Sequence, residues 1–332
     1  MDIARRCFLE SAVTLVATPT ILPWKALAMI DHIDPRDFGV NIWTGGDDTA
    51  AIQAAINAGK ATGTTVMLPG GTGNFTPPLD LTNYNLPNGK TLRIEGAGNA
   101  WGGTMLRALS GGAVGLDCVG AQGIGLSRFT LGAAPDVELI AGILLAASTT
   151  RPLDMVVLDQ LYVSAPFTWG AIYGFAWHSS VVQHCKLYNY RENNQPTVLL
   201  TSINRYNLTS PFVTFATPAQ VPNLSDIDFI KNEVHDFSQQ FEGTCFLFDG
   251  PTDIAVIGGN ISQIGNPARA YCQALADPKR ITFNPVRAYV DSGTPSQHVF
   301  HVQPGEVAHT IDFHVASSLQ YSVSKLSGTI LA

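Results

Sequence analysis

The sequence predicts an all-β solenoid: a parallel β-helix of three short strands per coil, closed at its start by one helix. Three observations predict it. An apolar spacing recurs along the chain, a glycine opens a further short strand before most copies, and a single amphipathic helix precedes them all. Internal periods of roughly 20–50 residues mark solenoids and related arrays, because each repeat buries its apolar face only against its neighbours.

The spacing places apolar residues at positions 0, 2, 5 and 7 of each copy. It occurs at Ile124, Leu126, Phe129 and Leu131, and at Val156, Leu158, Leu161 and Val163. It recurs at Ile227, Phe229, Asn232 and Val234, with Asn in the third slot, and at Ile254, Val256, Gly259 and Ile261. A looser copy runs through Ser180, Val182, Cys185 and Leu187. Each copy reads as two strands joined by a two-residue corner, with alternation setting the inward positions. The corner turns the third slot inward, where Asn232 is placed to bond neighbouring backbone. The copies start at 124, 156, 180, 227 and 254, so the spacings are 32, 24, 47 and 27. The 47 corresponds to about two coils, with an insertion within 204–224. The third strand opens at Gly115, Gly142, Gly170 and Gly243. A sandwich would instead need frequent hairpin turns, and Asn88-Gly89 is the only Asn-Gly pair.

The helix follows "DFGVNIWTGGDDTAAIQAAI", Asp37 to Ile56. Asp47, Asp48 and Thr49 suit a helix start, as acceptors for its first amides and charges that favour its N-terminus. Ile52, Ala55 and Ile56 share one face at helical spacing. A solenoid end exposes apolar surface and unpaired backbone, so this face is expected to cap the first coil. The predicted organisation is a cap with first strands over 29–75, a β-helix over 76–262, and a final coil or C-terminal cap over 263–332.

Residues 1–28 read as a twin-arginine-like export signal: Arg5-Arg6, then Phe8-Leu9, a mildly apolar run, and a small-residue cleavage site at Ala26-Leu27-Ala28. Pro19 and Pro23 break the run, so no membrane span is expected, and the mature chain is read as periplasmic or secreted. Hydrophobic residues make up 45% of the 332, and charged residues only 14%, which excludes disorder. The net charge of −7 becomes −8 once Arg5, Arg6, Lys25, Asp2 and Glu10 leave with the signal, and this argues against nucleic-acid binding. Cys118, Cys185, Cys245 and Cys272 lack C-x-x-C spacing and read as buried free thiols rather than disulfides or a zinc site.

The stretches "DFGV", "GGDDTAAIQAAI" and "TTVMLPGGTGNF" resemble the N-terminal motif of the pectate-lyase-like β-helix proteins, which include rhamnogalacturonase-type and tailspike-type domains. The matching positions are Asp37-Phe38-Gly39, Asp47-Asp48-Thr49, Ala51-Ile52-Gln53, Ala55-Ile56, Val66, Leu68-Pro69 and Gly71. The resemblance implies a right-handed, single-stranded parallel β-helix acting on polysaccharide by hydrolysis, β-elimination or epimerisation. It also implies a groove along the glycine-opened strands, walled by the loops before them. The segment before Asp47 is shorter than usual and holds Trp43. The paired-Asp, His-Gly and Arg-Ile-Lys signatures of polygalacturonases are absent from the coils, so the reaction does not carry over.

The wall loops, 132–141, 164–169, 189–196 and 236–243, hold Asp136, Glu138, Trp169, Arg191, Glu192, Asp236 and Glu242. Glycoside hydrolysis needs two carboxyl groups flanking the bond, and the expected catalytic set is Asp236, Glu242, Asp249 and Glu192. Trp169, Tyr173 and Trp177 would offer flat faces to sugar rings, and Arg191 and His235 would contact substrate. A lyase instead needs a base and a group that neutralises an acid, for which Arg191, His235 and Lys186 stand as candidates, although Lys186 lies on a strand away from the loops. Each residue also has a plainer reading: solvated loop charge, packed tryptophan, structural histidine. His298, His301, His309 and His314 follow strand alternation rather than a metal pattern, and no metal or cofactor is expected. Hydrolase stands ahead of lyase. The alternatives are a non-catalytic carbohydrate-binding or surface protein and an assembly module, a homotrimer of tailspike type.

Overall fold

The computed structural model describes residues 32–39, 42–99, 102–190, 195–202, 207–216, 224–236, 244–249, 252–265, 270–276, 280–293, 298–302 and 310–315. The expected export signal, 1–28, lies outside them. Within them the chain winds through three sheets in turn, and every pairing between named strands is parallel. A representative coil runs Val157–Asp159 in the first sheet, Tyr162–Ala165 in the second and Ile172–Phe175 in the third. The next is His178–Gln183, Lys186–Asn189 and Val198–Thr201. This is a parallel β-helix with three strands per coil, as the sequence predicts.

The apolar spacing is the register of the core. Leu126, Leu158, Val182, Phe229 and Val256 stack in the first sheet. Leu131, Val163, Leu187, Val234 and Ile261 stack in the second. Nearly all are fully buried, and each such side chain contributes about 1.5–3 kcal/mol. At the corner, Arg128, Gln160, His184 and Lys231 take left-handed backbone, with φ of 60°, 51°, 52° and 51°. That twist turns the following residue inward. Asn232 there donates to the Val182 carbonyl at 2.8 Å and accepts from the Cys185 amide at 2.9 Å. In the next coil the slot is Gly259, where any Cβ would collide with the Asn232 carbonyl.

One expectation is corrected. The spacing of 47 is one coil, not two: Val198–Thr201 is its third-sheet strand, opened by Thr197 instead of glycine, and the insertion follows it. The ladders also run past 262. Ala270–Ala276, Arg280–Gly293, His298–Val302 and Thr310–Val315 join the same sheets.

The helix Thr49–Thr62 caps the first coil. Ala51, Ile52, Ala55, Ile56 and Gly59 form its buried face. Gly59 sits where a Cβ would approach Leu92 and Val66 to 2.8 Å, so a side chain there would push the helix off the coil. Asp47 accepts from the Thr49 amide at 2.9 Å and from the Thr49 hydroxyl, and these bonds hold its carboxyl below the ordinary range. Asp48 does a different job. It is buried, and its two oxygens accept from the Trp43 and Asn74 amides at 3.0 Å each, tying the entry loop to the first coil. Cys118, Cys185, Cys245 and Cys272 are buried. No helix among the described residues is long and apolar enough to cross a membrane.

Candidate functional site

The glycine-opened strands form the third sheet, and its outer face is not an open groove. Leu144, Tyr173, Leu199 and Leu247 make one outward row, beside Ala146, Phe175, Thr201 and Asp249. The insertion lies over them. Leu208, Val213, Phe215 and Ala216 pack onto this apolar surface, and Phe215 stacks on Phe175 with centroids 6.3 Å apart. The Thr149 amide donates to the Thr214 carbonyl, and the Ala216 amide to the Ala147 carbonyl, both at 3.0 Å.

This cover changes the standing of several candidates. Tyr173 is 0% exposed beneath it. Trp177 is also 0% exposed, inside the solenoid, edge-on to Phe229. Neither presents a ring face to a sugar, because apolar packing occupies both. Trp169 packs partly buried against the covered cluster. Asp249 is fully buried on the third sheet, accepting from the Thr201 hydroxyl at 3.4 Å. Asp236 ends a second-sheet strand, in register with Asn189, and its side chain lies outside the described residues. These two are therefore not brought together on one sheet. Arg191, Glu192 and Glu242 lie outside the described residues.

Polar chemistry gathers instead on the outer face of the second sheet. Two outward rows run along it: Thr130, Tyr162, Lys186 and Glu233, and Gly132, Ser164, Tyr188 and His235. Successive coils lie about 4.8 Å apart, so these side chains touch across strands. Glu233 is the hub. Its Oε1 accepts from the Tyr188 hydroxyl at 2.7 Å and from His235 Nε2 at 2.8 Å, which places the His235 proton on Nε2. Its Oε2 faces Lys186 Nζ at 3.2 Å. The Tyr188 ring meets His235 edge-on at 4.4 Å and Tyr162 at 5.1 Å, and Tyr190 closes the group with its hydroxyl 3.4 Å from that of Tyr162.

The electrostatics follow from this geometry. Partial burial pushes the Glu233 carboxyl up, but bonds from Tyr188, Lys186 and His235 with the Lys186 charge outweigh it, and it titrates below the ordinary range. Burial, then the bond to Glu233 and its charge, pushes the Tyr188 phenol well up, so it stays protonated. Burial and the Tyr162 contact push Tyr190 up to about 12. Lys186, with its side chain 51% exposed, and Tyr190 reach solvent, while His235 is almost wholly buried. The cluster thus offers an exposed ammonium, a protonated phenol, tyrosine edges and an ionised carboxylate. Among the described residues no group of three or more His, Cys, Asp or Glu side chains is set to hold a metal.

Of the expected site residues, His235 is in this cluster. Lys186, set aside as remote from the loops, is in it too. Glu233, Tyr188, Tyr162 and Tyr190 were not singled out. For the first three the signal was present: the spacing that marks inward slots 5 and 7 also marks 6 and 8 as outward, and in the copies from 156, 180 and 227 these are Tyr162, Ser164, Lys186, Tyr188, Glu233 and His235.

No protein-family model matches the sequence, and no curated protein matches it. Solved structures similar to this chain include ORF18 of Geobacillus virus E2, at 13% identity and TM-score 0.48, over 86% of this chain and 60% of that one. The A-module of the mannuronan C-5 epimerase AlgE6 of Azotobacter vinelandii is similar at 14% identity and TM-score 0.41, over 90% and 98% of the two chains. The Dettilon tailspike protein is similar at 11% identity and TM-score 0.38, over 94% and 68%. The chain spans about 60% of the length of the Geobacillus virus chain. These likenesses are of fold.

Proposed function

We propose that this protein is exported and binds and cleaves a polysaccharide laid along the outer face of the second sheet. The observation that carries this reading is the network of Tyr188, His235 and Lys186 around Glu233, bordered by Tyr162 and Tyr190. Tyr162 and Tyr190 give this face an aromatic border with polar hydroxyls, the amphipathic surface a sugar ring packs on. The sequence favoured hydrolysis, which needs a second carboxyl group beside the bond. The described cluster has one carboxylate and three donors, which suits β-elimination from a uronate better. Lys186 would neutralise the sugar carboxylate, raising the acidity of the neighbouring C–H. The ionised Glu233 carboxylate would take the proton from carbon, and the protonated Tyr188 phenol would give its own to the leaving glycosidic oxygen.

The test is a panel of neutral and uronate polysaccharides, read for new reducing ends and for the ultraviolet absorbance of unsaturated uronates. Both signals together are expected on a uronate polymer. Tyr188→Phe should lower the rate by about 10²–10⁴-fold, the range of general acid–base catalysis. Lys186→Ala should lower it by about 10²–10³-fold, as loss of an electrostatic contact does. Reducing ends without absorbance would replace elimination by hydrolysis and turn attention to Asp236 and Glu242.

A second reading, a non-catalytic carbohydrate-binding module, is favoured by one observation: Glu233 is already engaged by three donors, as in a static recognition surface. It predicts polysaccharide retention in affinity electrophoresis with neither signal. The assembly reading predicts a sedimentation mass of three chains.

A further inference from the structure

The segment 207–216 is a strap across the outer face of the third sheet, held by apolar contacts over Tyr173, Phe175 and Leu199 and by pairing with 147–149. Near the helix-capped end of that face the chemistry changes. Asp80 and Asp117 are registered neighbours on adjacent strands, both on the outward side while Leu79 and Leu116 enter the core. Asp80 is compensated. One oxygen accepts from the Thr82 amide and hydroxyl at 2.7 Å each, and the other faces Lys60 Nζ at 3.3 Å. Asp117 is 0% exposed; its Oδ1 accepts from the Val119 amide at 3.2 Å, and its Oδ2 has no partner within hydrogen-bond distance among the described residues. The groups facing Asp117 are Asp80 from the preceding coil, Lys60 from the helix and Ser210 from the strap, while the following coil offers Leu144. Two carboxylates share one lysine, and the one without the cation is fully buried.

We propose that the strap is a proton-controlled cover, sealing the outer face of the third sheet when Asp117 is protonated and loosening when Asp117 is ionised. Burial drives the Asp117 carboxyl up to about 6, opposed by Ser210 and the Val119 amide and reinforced by Asp80. Opening the strap returns the group to water and towards its ordinary value of 3.8. The closed form therefore binds the proton more tightly. Closure is strongest below the ordinary value, weakens as pH rises towards about 6, and stays weakened above it. A displacement of about two pH units corresponds to an open-to-closed ratio ~100-fold larger at neutral pH than in acid.

The test is hydrogen exchange of the full chain across this pH range, corrected for intrinsic rates and read on peptides covering 207–216. Protection is expected to fall by up to ~100-fold from acid to neutral pH, the fall lying between 3.8 and about 6, while peptides from Ile172–Phe175 stay constant. Asp117→Asn should hold the strap protected at both ends of the range. Phe215→Ala should lower protection throughout and keep the pH dependence. Flat protection in the wild-type chain overturns the proposal, as does a dependence that survives Asp117→Asn. If that variant does not fold, the wild-type profile with Phe215→Ala decides: a strap-specific fall between 3.8 and about 6 in both upholds the proposal, and its absence overturns it.

Discussion

Asn232 and Glu233 are adjacent in the chain and serve opposite ends of the argument. Asn232 points into the solenoid and satisfies backbone groups of the preceding coil. Glu233 points out and gathers three donors. Asn232→Leu would fit an apolar slot like that of Leu161, yet it orphans the Val182 carbonyl and the Cys185 amide. Each buried unpaired group costs about 1–3 kcal/mol, so the denaturation midpoint should fall clearly. A midpoint equal to wild type would mean that another partner takes over these groups. Glu233 carries a pH signature. Its carboxyl titrates below the ordinary value of 4.5, so the stability it contributes is full above that value and is lost as pH falls through its own lowered one. In Glu233→Gln this acid-side loss should shrink. An unchanged acid limb in a pH series of melting curves would assign the loss to other carboxylates.

At the scale of the element, the helix and the strap both cover surfaces that the coils cannot bury alone. The helix fits by close approach at Gly59. Gly59→Ala would normally favour a helix, but here the added methyl meets Leu92 and Val66 at 2.8 Å. Overpacking of this kind costs about 1–3 kcal/mol, so the substitution should lower the melting temperature despite the better helix propensity. A rise in melting temperature would show that the helix shifts freely over the first coil. The strap covers a sheet face rather than an end. It occupies the place where the resemblance implied a groove, and the polar site lies on the neighbouring sheet.

At the scale of the whole molecule, a solenoid is stabilised coil by coil, each touching mainly its neighbours. Damage at one end should therefore stay near that end. Ile52 is 0% exposed between the helix and the first coil. Ile52→Ala should cost about 2–5 kcal/mol, as truncation of a buried isoleucine does. Hydrogen exchange should then rise in the first coils and remain unchanged around Phe246–Asp249. A uniform rise along the chain would mean that the coils unfold as one unit.

The sequence by itself determined the coil. Alternation and a corner of constant length specify which residues face inward, and local chemistry at Asp47 and Thr49 marks the start of the helix. The same alternation already assigned Tyr162, Lys186, Tyr188, Glu233 and His235 to the outside. Only the tertiary structure decided which outer face stays open. Leu144, Tyr173 and Leu199 are outward by period and would have been exposed, but a strap inserted a coil later folds back over them. Tertiary structure also decided that Glu233 meets Lys186 and Tyr188, 47 and 45 residues away along the chain. Periodicity reports which side of a strand a residue takes. Which strands become neighbours depends on the register between coils, and an insertion of variable length hides that register from any reading of spacing alone.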